Sequence, residues 1–166
     1  MDYRQKTFDE TVMVAPGAVV VGDVTLGKHV NVWYNAVLRG DDGAITVGEG
    51  TNIQDGAILH EETHVGAGCT IGHGAIVHGA TVGDRVIVGM GAIVLDGAKI
   101  GDDCIIAAGA VVTGKMDAPA GSLLVGSPAV VAKPLNDKQK ASCLENSELY
   151  YRKSVEYRAF LAQQGK

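Results

Sequence analysis

Four of the chain's five histidines lie between Leu59 and Gly79, in the stretch LHEETHVGAGCTIGHGAIVHG. Imidazole is the commonest protein ligand for transition metals, and a neutral ring offers one nitrogen lone pair for the purpose. His60 and His78 are separated by three successive hexads, and His73 falls inside the last of them. Two imidazoles one structural repeat apart would share an ion, provided that three hexads make one turn of a coil. A third imidazole would then have to come from elsewhere.

The elements that must position them are written in the aliphatic residues, which recur every sixth position. The series runs Val14, Val20, Leu26, Val32, Leu38, is interrupted at Asp41, Asp42 and Gly43, and resumes at Val47, Ile53, Leu59, Val65, Ile71 and Val77. It slips by one residue to Val82 and continues at Val88, Val94, Ile100, Ile106 and Val112. Four residues after each aliphatic comes a small one, among them Ala36, Ala57, Cys69, Ala75, Ala92 and Cys104. Glycine makes up 23 of 166 residues, where an ordinary chain has about 7%. A helix would need apolar residues at spacings of three and four and would lose up to ~1 kcal/mol at each glycine. A short strand and a tight turn, repeated three times per coil, leaves glycine where φ is positive. The spacing therefore predicts an all-β chain, a parallel β-helix whose narrow corners hold the small residues, with Cys69 and Cys104 as core filler.

Formal net charge is −5 and no run of Lys or Arg exceeds two, which argues against nucleic acid or an anionic membrane as partner. The polar N-terminus MDYRQKTFDE has no leader-like apolar region, and a cytoplasmic protein is expected. Cys69, Cys104 and Cys143 have no CxxC pairing, so neither a disulfide framework nor a thiolate metal knuckle is expected.

The hexad grammar from Pro16 to Pro128 resembles the left-handed β-helix proteins with hexapeptide repeats, which are usually trimers. The hand comes from that resemblance, because right-handed crossovers are the general rule. Coils about 4.8 Å apart make positions three hexads apart stacked neighbours. With the interruption discounted, Arg39, His60 and His78 form a ladder; Gln54 takes the same hexad position one strand earlier, and Asp55 and His73 the next position. His73 belongs nearer a corner, and three-fold symmetry would bring a neighbour's His73 to the His60–His78 pair.

Three segments then match one family: LRGDD at Leu38–Asp42, IQDGAILH at Ile53–His60 and GHGAIVHG at Gly72–Gly79 resemble the signatures of γ-class carbonic anhydrases. The resemblance implies that His60 and His78 of one subunit and His73 of the next hold Zn²⁺, with Fe²⁺ or Co²⁺ as substitutes. It implies an inter-subunit ion pair of Arg39 with Asp55, Asp41 nearby, and Gln54 and Asn52 orienting water on the metal. Three imidazoles leave one position open, and a bound water acidified to about pKa 7 would attack CO₂ to give bicarbonate. The chain departs from the founding members in two places. Asp42 stands where they carry glutamate, and only EETH replaces their long acidic loop. Asp42, Glu61 and Glu62 are the carboxylates left to shuttle protons, and His64 reads as a solvated loop residue.

Residues 1–135 read as the β-helix domain and 136–166 as a C-terminal α-helix packed on it, with Leu144, Tyr151 and Val155, together with Tyr150, Tyr157 and Leu161, as its apolar positions. In the resembling family a residue from this segment reaches the metal cleft, which singles out Tyr150 and Tyr151. Two further readings compete with the anhydrase. An acyltransferase of the same fold would use one histidine as base with acyl-coenzyme A, and GSPA at Gly126–Ala129 is compatible with it. A non-catalytic metal-stapled trimer would need no shuttle.

Overall fold

The computed structural model describes residues 6–164 and turns the hexads into a left-handed parallel β-helix with a C-terminal helix. The prism has three faces. The first carries the leading halves of Val19–Leu26 and Val37–Val47, then Ile58–His60, Ile76–His78, Ile93–Val94 and Val111–Val112. The second carries Lys6–Phe8, the trailing halves of those two long strands, and then Thr63–Val65, Thr81–Val82, Lys99–Ile100 and Asp117–Ala118. The third begins at Met13–Val14 and descends through Asn31–Val32, Asn52–Ile53, Thr70–Ile71, Ile87–Val88 and Ile105–Ile106 to Ser122–Gly126. There Ala129–Pro134 turns back as an antiparallel strand.

Most turns hold a residue in the left-handed region. Glycine supplies the majority, and His29, Asn35, Arg85 and Asp103 take the place with φ between 54° and 59°. Three of these have the short polar side chains or ring that tolerate αL best, and Arg85 is the exception. Inside, the aliphatic series is sealed: Val32, Leu38, Ile53, Leu59, Ile71, Val77, Val88 and Val94 are all inaccessible to solvent, as are Cys69 and Cys104 at the corners. Burial pushes the Cys69 thiol up to about 12, as expected of filler. The first member of the series is different. Val14 is exposed because its strand ends the third face and no coil lies beyond it among the described residues.

The outward residues distinguish the faces. On the second face they are Thr25, Thr46, His64, Thr81, Lys99 and Asp117, a polar column suited to water. On the first they are Val19, Val37, Ile58, Ile76, Ile93 and Val111, aliphatic from end to end. A strand with aliphatic residues on both sides is a strand meant to be covered on both sides.

The helix Asp137–Gln164 covers the third face, not the first. Its inward stripe is Cys143, Ser147, Tyr150, Ser154 and Tyr157; Leu144 and Val155, expected to pack, are exposed, and Tyr151, partly exposed, meets the His29 ring at a centroid distance of 4.8 Å. Small side chains let the helix sit close to a face that already carries Trp33. The two serines satisfy their hydroxyls on the carbonyls of Leu144 and Tyr151 within the helix. Trp33 forms edge contacts with Tyr150 and Tyr157 at centroid distances of 5.5 and 5.1 Å. No helix among the described residues is long and apolar enough to cross a membrane.

Candidate metal centre

Arg39, His60 and His78 stand in lateral register at the edge between the first and second faces. His60 is buried, with 8% of its surface left exposed. Its Nδ1 lies 3.2 Å from His78 Nε2. On a tetrahedral ion, bonds of about 2.0–2.1 Å would put two nitrogens ~3.3–3.4 Å apart, so the pair is already spaced for a shared ligand. His60 Nε2 is buried without a hydrogen bond, facing Asp41 at 3.4 Å and Asp42 at 3.5 Å. A buried polar atom left without a partner is uncommon and points to a functional constraint.

The interruption at Asp41, Asp42 and Gly43 explains the surroundings. It lies inside the 11-residue strand Val37–Val47, which crosses the corner and brings Asp41 and Asp42 against His60. Arg39 Nη1 donates to both Asp41 oxygens at 2.9 and 2.8 Å. Desolvation pushes the Asp41 carboxyl up, but the Arg39 hydrogen bonds and charge, a backbone amide and His60 together outweigh it and hold the group below its usual range. Glu61 Oε1 is 4.0 Å from His60 Nδ1, on a residue with φ of 59°. Glu62 points away and lies 3.9 Å from His64 Nε2. His64 is a strand residue of Thr63–Val65 and not a loop residue: the second face resumes immediately after Glu62, and Thr46 Oγ1 meets His64 Nδ1 at 2.7 Å.

His73 belongs to a different group, at the edge between the third and first faces. Its Nδ1 lies 2.9 Å from Asp55 Oδ2, and its Nε2 faces the Tyr150 hydroxyl at 3.4 Å. Burial, followed by the Asp55 charge, raises the Tyr150 phenol above its ordinary range and keeps it a donor. Gln54 Oε1 accepts from the His73 amide at 3.2 Å. Gln54 Nε2 donates to Asn52 Oδ1 at 3.1 Å, and Asn52 Nδ2 in turn bonds the Thr70 hydroxyl and the Cys69 carbonyl. Beside this group is a cavity of about 400 Å³ that Gln54, His73, Tyr150, Asn146, Met90 and Ile87 help to line.

The candidate residues thus fall into two sets at opposite edges of the first face. Arg39, Asp41, Asp42, His60, Glu61 and His78 gather at one edge; Asn52, Gln54, Asp55 and His73 gather at the other. Within one chain Arg39 pairs with Asp41 and Asp55 with His73. Sequence reasoning missed Trp33, which anchors the helix that carries Tyr150, and Asp96, whose carboxylate meets His78 Nδ1. The three-hexad spacing of Asp96 from His78 was the available signal for the second.

Residues 79–114 match the family model described as bacterial transferase hexapeptide (six repeats). The chain is 45% identical over 149 residues to the probable carbonic anhydrase of Methanocaldococcus jannaschii, covering 87% of this chain and 94% of that protein. It is 39% identical over 160 residues to Protein YrdA of Escherichia coli, covering 89% and 86%. Gamma carbonic anhydrase 2, mitochondrial, of Arabidopsis thaliana is 40% identical over 152 residues, and the match spans 55% of that longer protein. Among solved structures, a hexapeptide transferase family protein from Anaplasma phagocytophilum superposes with a TM-score of 0.90 at 38% identity, covering 92% of each chain.

Proposed function

The chain belongs to the γ-class carbonic anhydrase family of hexapeptide-repeat proteins, and from that membership we propose that it hydrates CO₂ reversibly to bicarbonate at metal sites shared between neighbouring subunits of a homotrimer. The observation that carries the proposal is the division of the candidate donors between the two edges of one aliphatic face. A ring of three chains packed through that face brings one subunit's His60 and His78 to the next subunit's His73, and three-fold closure repeats the site. The aliphatic column from Val19 to Val111 supplies the apolar contact such a ring requires.

His60, His78 and the partner subunit's His73 would hold Zn²⁺, and three imidazoles accept Fe²⁺ or Co²⁺ as well. When bound, the ion would supply the Lewis acidity that makes water a nucleophile near neutral pH. The remaining chemistry falls to side chains. Asp55, 2.9 Å from His73 Nδ1, would favour a proton on that nitrogen and so leave Nε2 as the donor nitrogen. Gln54, tied to Asn52 through its amide, fixes the wall of the cleft beside His73 and orients reacting water. Asp42 and Glu61, both partly exposed and both against His60, carry the released proton to buffer, with Glu62 behind them. Arg39 lies beside Asp41 and Asp42 at the same edge and would pair with the neighbour's Asp55 side.

Stopped-flow CO₂ hydration by Zn²⁺- and Co²⁺-loaded protein tests the proposal, with activity expected to fall on chelation and in His78→Ala. The transferase name of the solved relative favours a second reading, acyl transfer from acyl-coenzyme A. That reading predicts acyl-coenzyme A binding that survives chelation. Metal uptake without hydration or acyl transfer would leave the ion as a staple between subunits.

A further inference from the structure

The aliphatic series loses one residue between Val77 and Val82, and this deletion has a chemical result. The strand Ile76–His78 turns at Gly79 and reaches the next strand at Thr81. Val77 pairs with Leu59 in the coil before it, a full three hexads back, but with Val94 in the coil after it, one position short of three hexads. Asp96, a full three hexads after His78, is therefore displaced one position past the lateral partner of His78 and sits in the turn below it. Its carboxylate reaches back across Gly79 and meets His78 Nδ1.

Two glycines make room for this. A Cβ on Gly79 would lie 2.8 Å from Asp96 Oδ1, and one on Gly114, in the following coil, would overlap the Asp96 carbonyl oxygen. The Gly97 amide bonds the Gly79 carbonyl at 2.7 Å and locks the two turns together. The Asp96 backbone is thus held between coils at a site where neither neighbour has a side chain.

We propose that Asp96 is the positioning residue for His78, holding its imidazole in the tautomer whose Nε2 lone pair faces His60. A carboxylate only accepts hydrogen bonds, so the ring must carry its proton on Nδ1. Nε2 is left as the donor nitrogen, 3.2 Å from His60. The opposite edge of the face has a related arrangement, with Asp55 Oδ2 2.9 Å from His73 Nδ1 at the same three-hexad spacing. Loss of a carboxylate partner of this kind usually weakens metal binding about 10–100-fold. The metal part of this inference rests on the reading of the site given above; the tautomer part does not.

The test compares wild type with Asp96→Ala and Asp96→Asn. Two-bond ¹H–¹⁵N correlation spectra of metal-free protein report the His78 tautomer, and Co²⁺ titration reports affinity, with the mass of the assembly recorded for each variant. Wild type is expected to show the Nδ1–H tautomer. Asp96→Ala is expected to lose that preference and bind Co²⁺ about 10–100-fold more weakly. Asp96→Asn is expected to retain the tautomer and most of the affinity where its oxygen faces Nδ1, and to shift the ring to the Nε2–H tautomer where its NH₂ does. An unchanged His78 tautomer in Asp96→Ala overturns the proposal, as does affinity equal to that of wild type. If wild type takes up no Co²⁺ the proposed metal function fails, and the tautomer comparison still decides the role of Asp96. Should Asp96→Ala not assemble, Asp96→Leu takes its place, and a His78 tautomer unchanged there overturns the proposal equally.

Discussion

Trp33→Ala should detach the C-terminal helix from the prism. The ring is 6% exposed, meets Tyr150 and Tyr157 edge-on, and its Nε1–H donates to the fully buried Asn31 Oδ1 at 2.7 Å. Truncating a buried tryptophan costs ~3–5 kcal/mol. Two aromatic pairs account for ~0.5–1.5 kcal/mol each, and leaving Asn31 without its donor accounts for ~1–3 kcal/mol. These contributions overlap, so the expected loss is ~4 kcal/mol in total. The inward stripe cannot compensate, because Cys143, Ser147 and Ser154 are too small to close the gap. Amide hydrogen exchange across 137–164 is the direct assay, with Trp33→Phe as the control that keeps a ring. Protection of the helix amides should fall by about three orders of magnitude in Trp33→Ala, and by far less in the control. The Tyr150 hydroxyl would then leave His73 Nε2, 3.4 Å away in the folded protein. A loss below ~1 kcal/mol with the helix still protected would refute this account of helix docking.

Gly114→Ala should destabilise by ~1–3 kcal/mol or more, since the new methyl group meets the Asp96 carbonyl, a backbone atom that cannot move aside; urea denaturation measures it. The thiols give a pH prediction. Burial lifts Cys69 to about 12 and Cys143 to about 11, from an ordinary 9.0. The folded state thus stays protonated where the unfolded state ionises. Their contribution is full below pH 9 and is lost as pH rises from there toward 11–12. Denaturant midpoints followed upward from neutral pH, beside Cys69→Ala, should show the decline and its reduction in the variant.

The prism was legible because its signal is redundant: apart from the insertion at 41–43 and the slip before Val82, the aliphatics from Val32 to Val112 keep one period, and one coil confirms the next. The ladder of Arg39, His60 and His78 followed from the same ruler once the insertion at 41–43 was discounted. The helix was harder. Its packing stripe is Cys, Ser, Tyr, Ser, Tyr, and a hydrophobic pattern points instead to Leu144 and Val155, which stay exposed, Leu144 beside a cavity that it lines with His29 and Arg85. Side-chain pairing was also hidden, because spacing gives Cα register and not rotamers. Arg39 turns within its own strand to Asp41, a contact that depends on how the strand bends at the corner. Asp96 was obscured by the one-residue slip, which removes it from the column where its partner lies.

The central claim is that the metal site is split between subunits, and metal content per chain tests it most directly. Untagged protein purified without oxygen would be sized by light scattering and analysed by mass spectrometry beside His73→Ala. The account predicts wild-type trimers with about one ion per chain, and loss of most of that metal in the variant although His60 and His78 are intact. Metal-free wild-type trimers, or a His73→Ala trimer that keeps its full metal content, would contradict it.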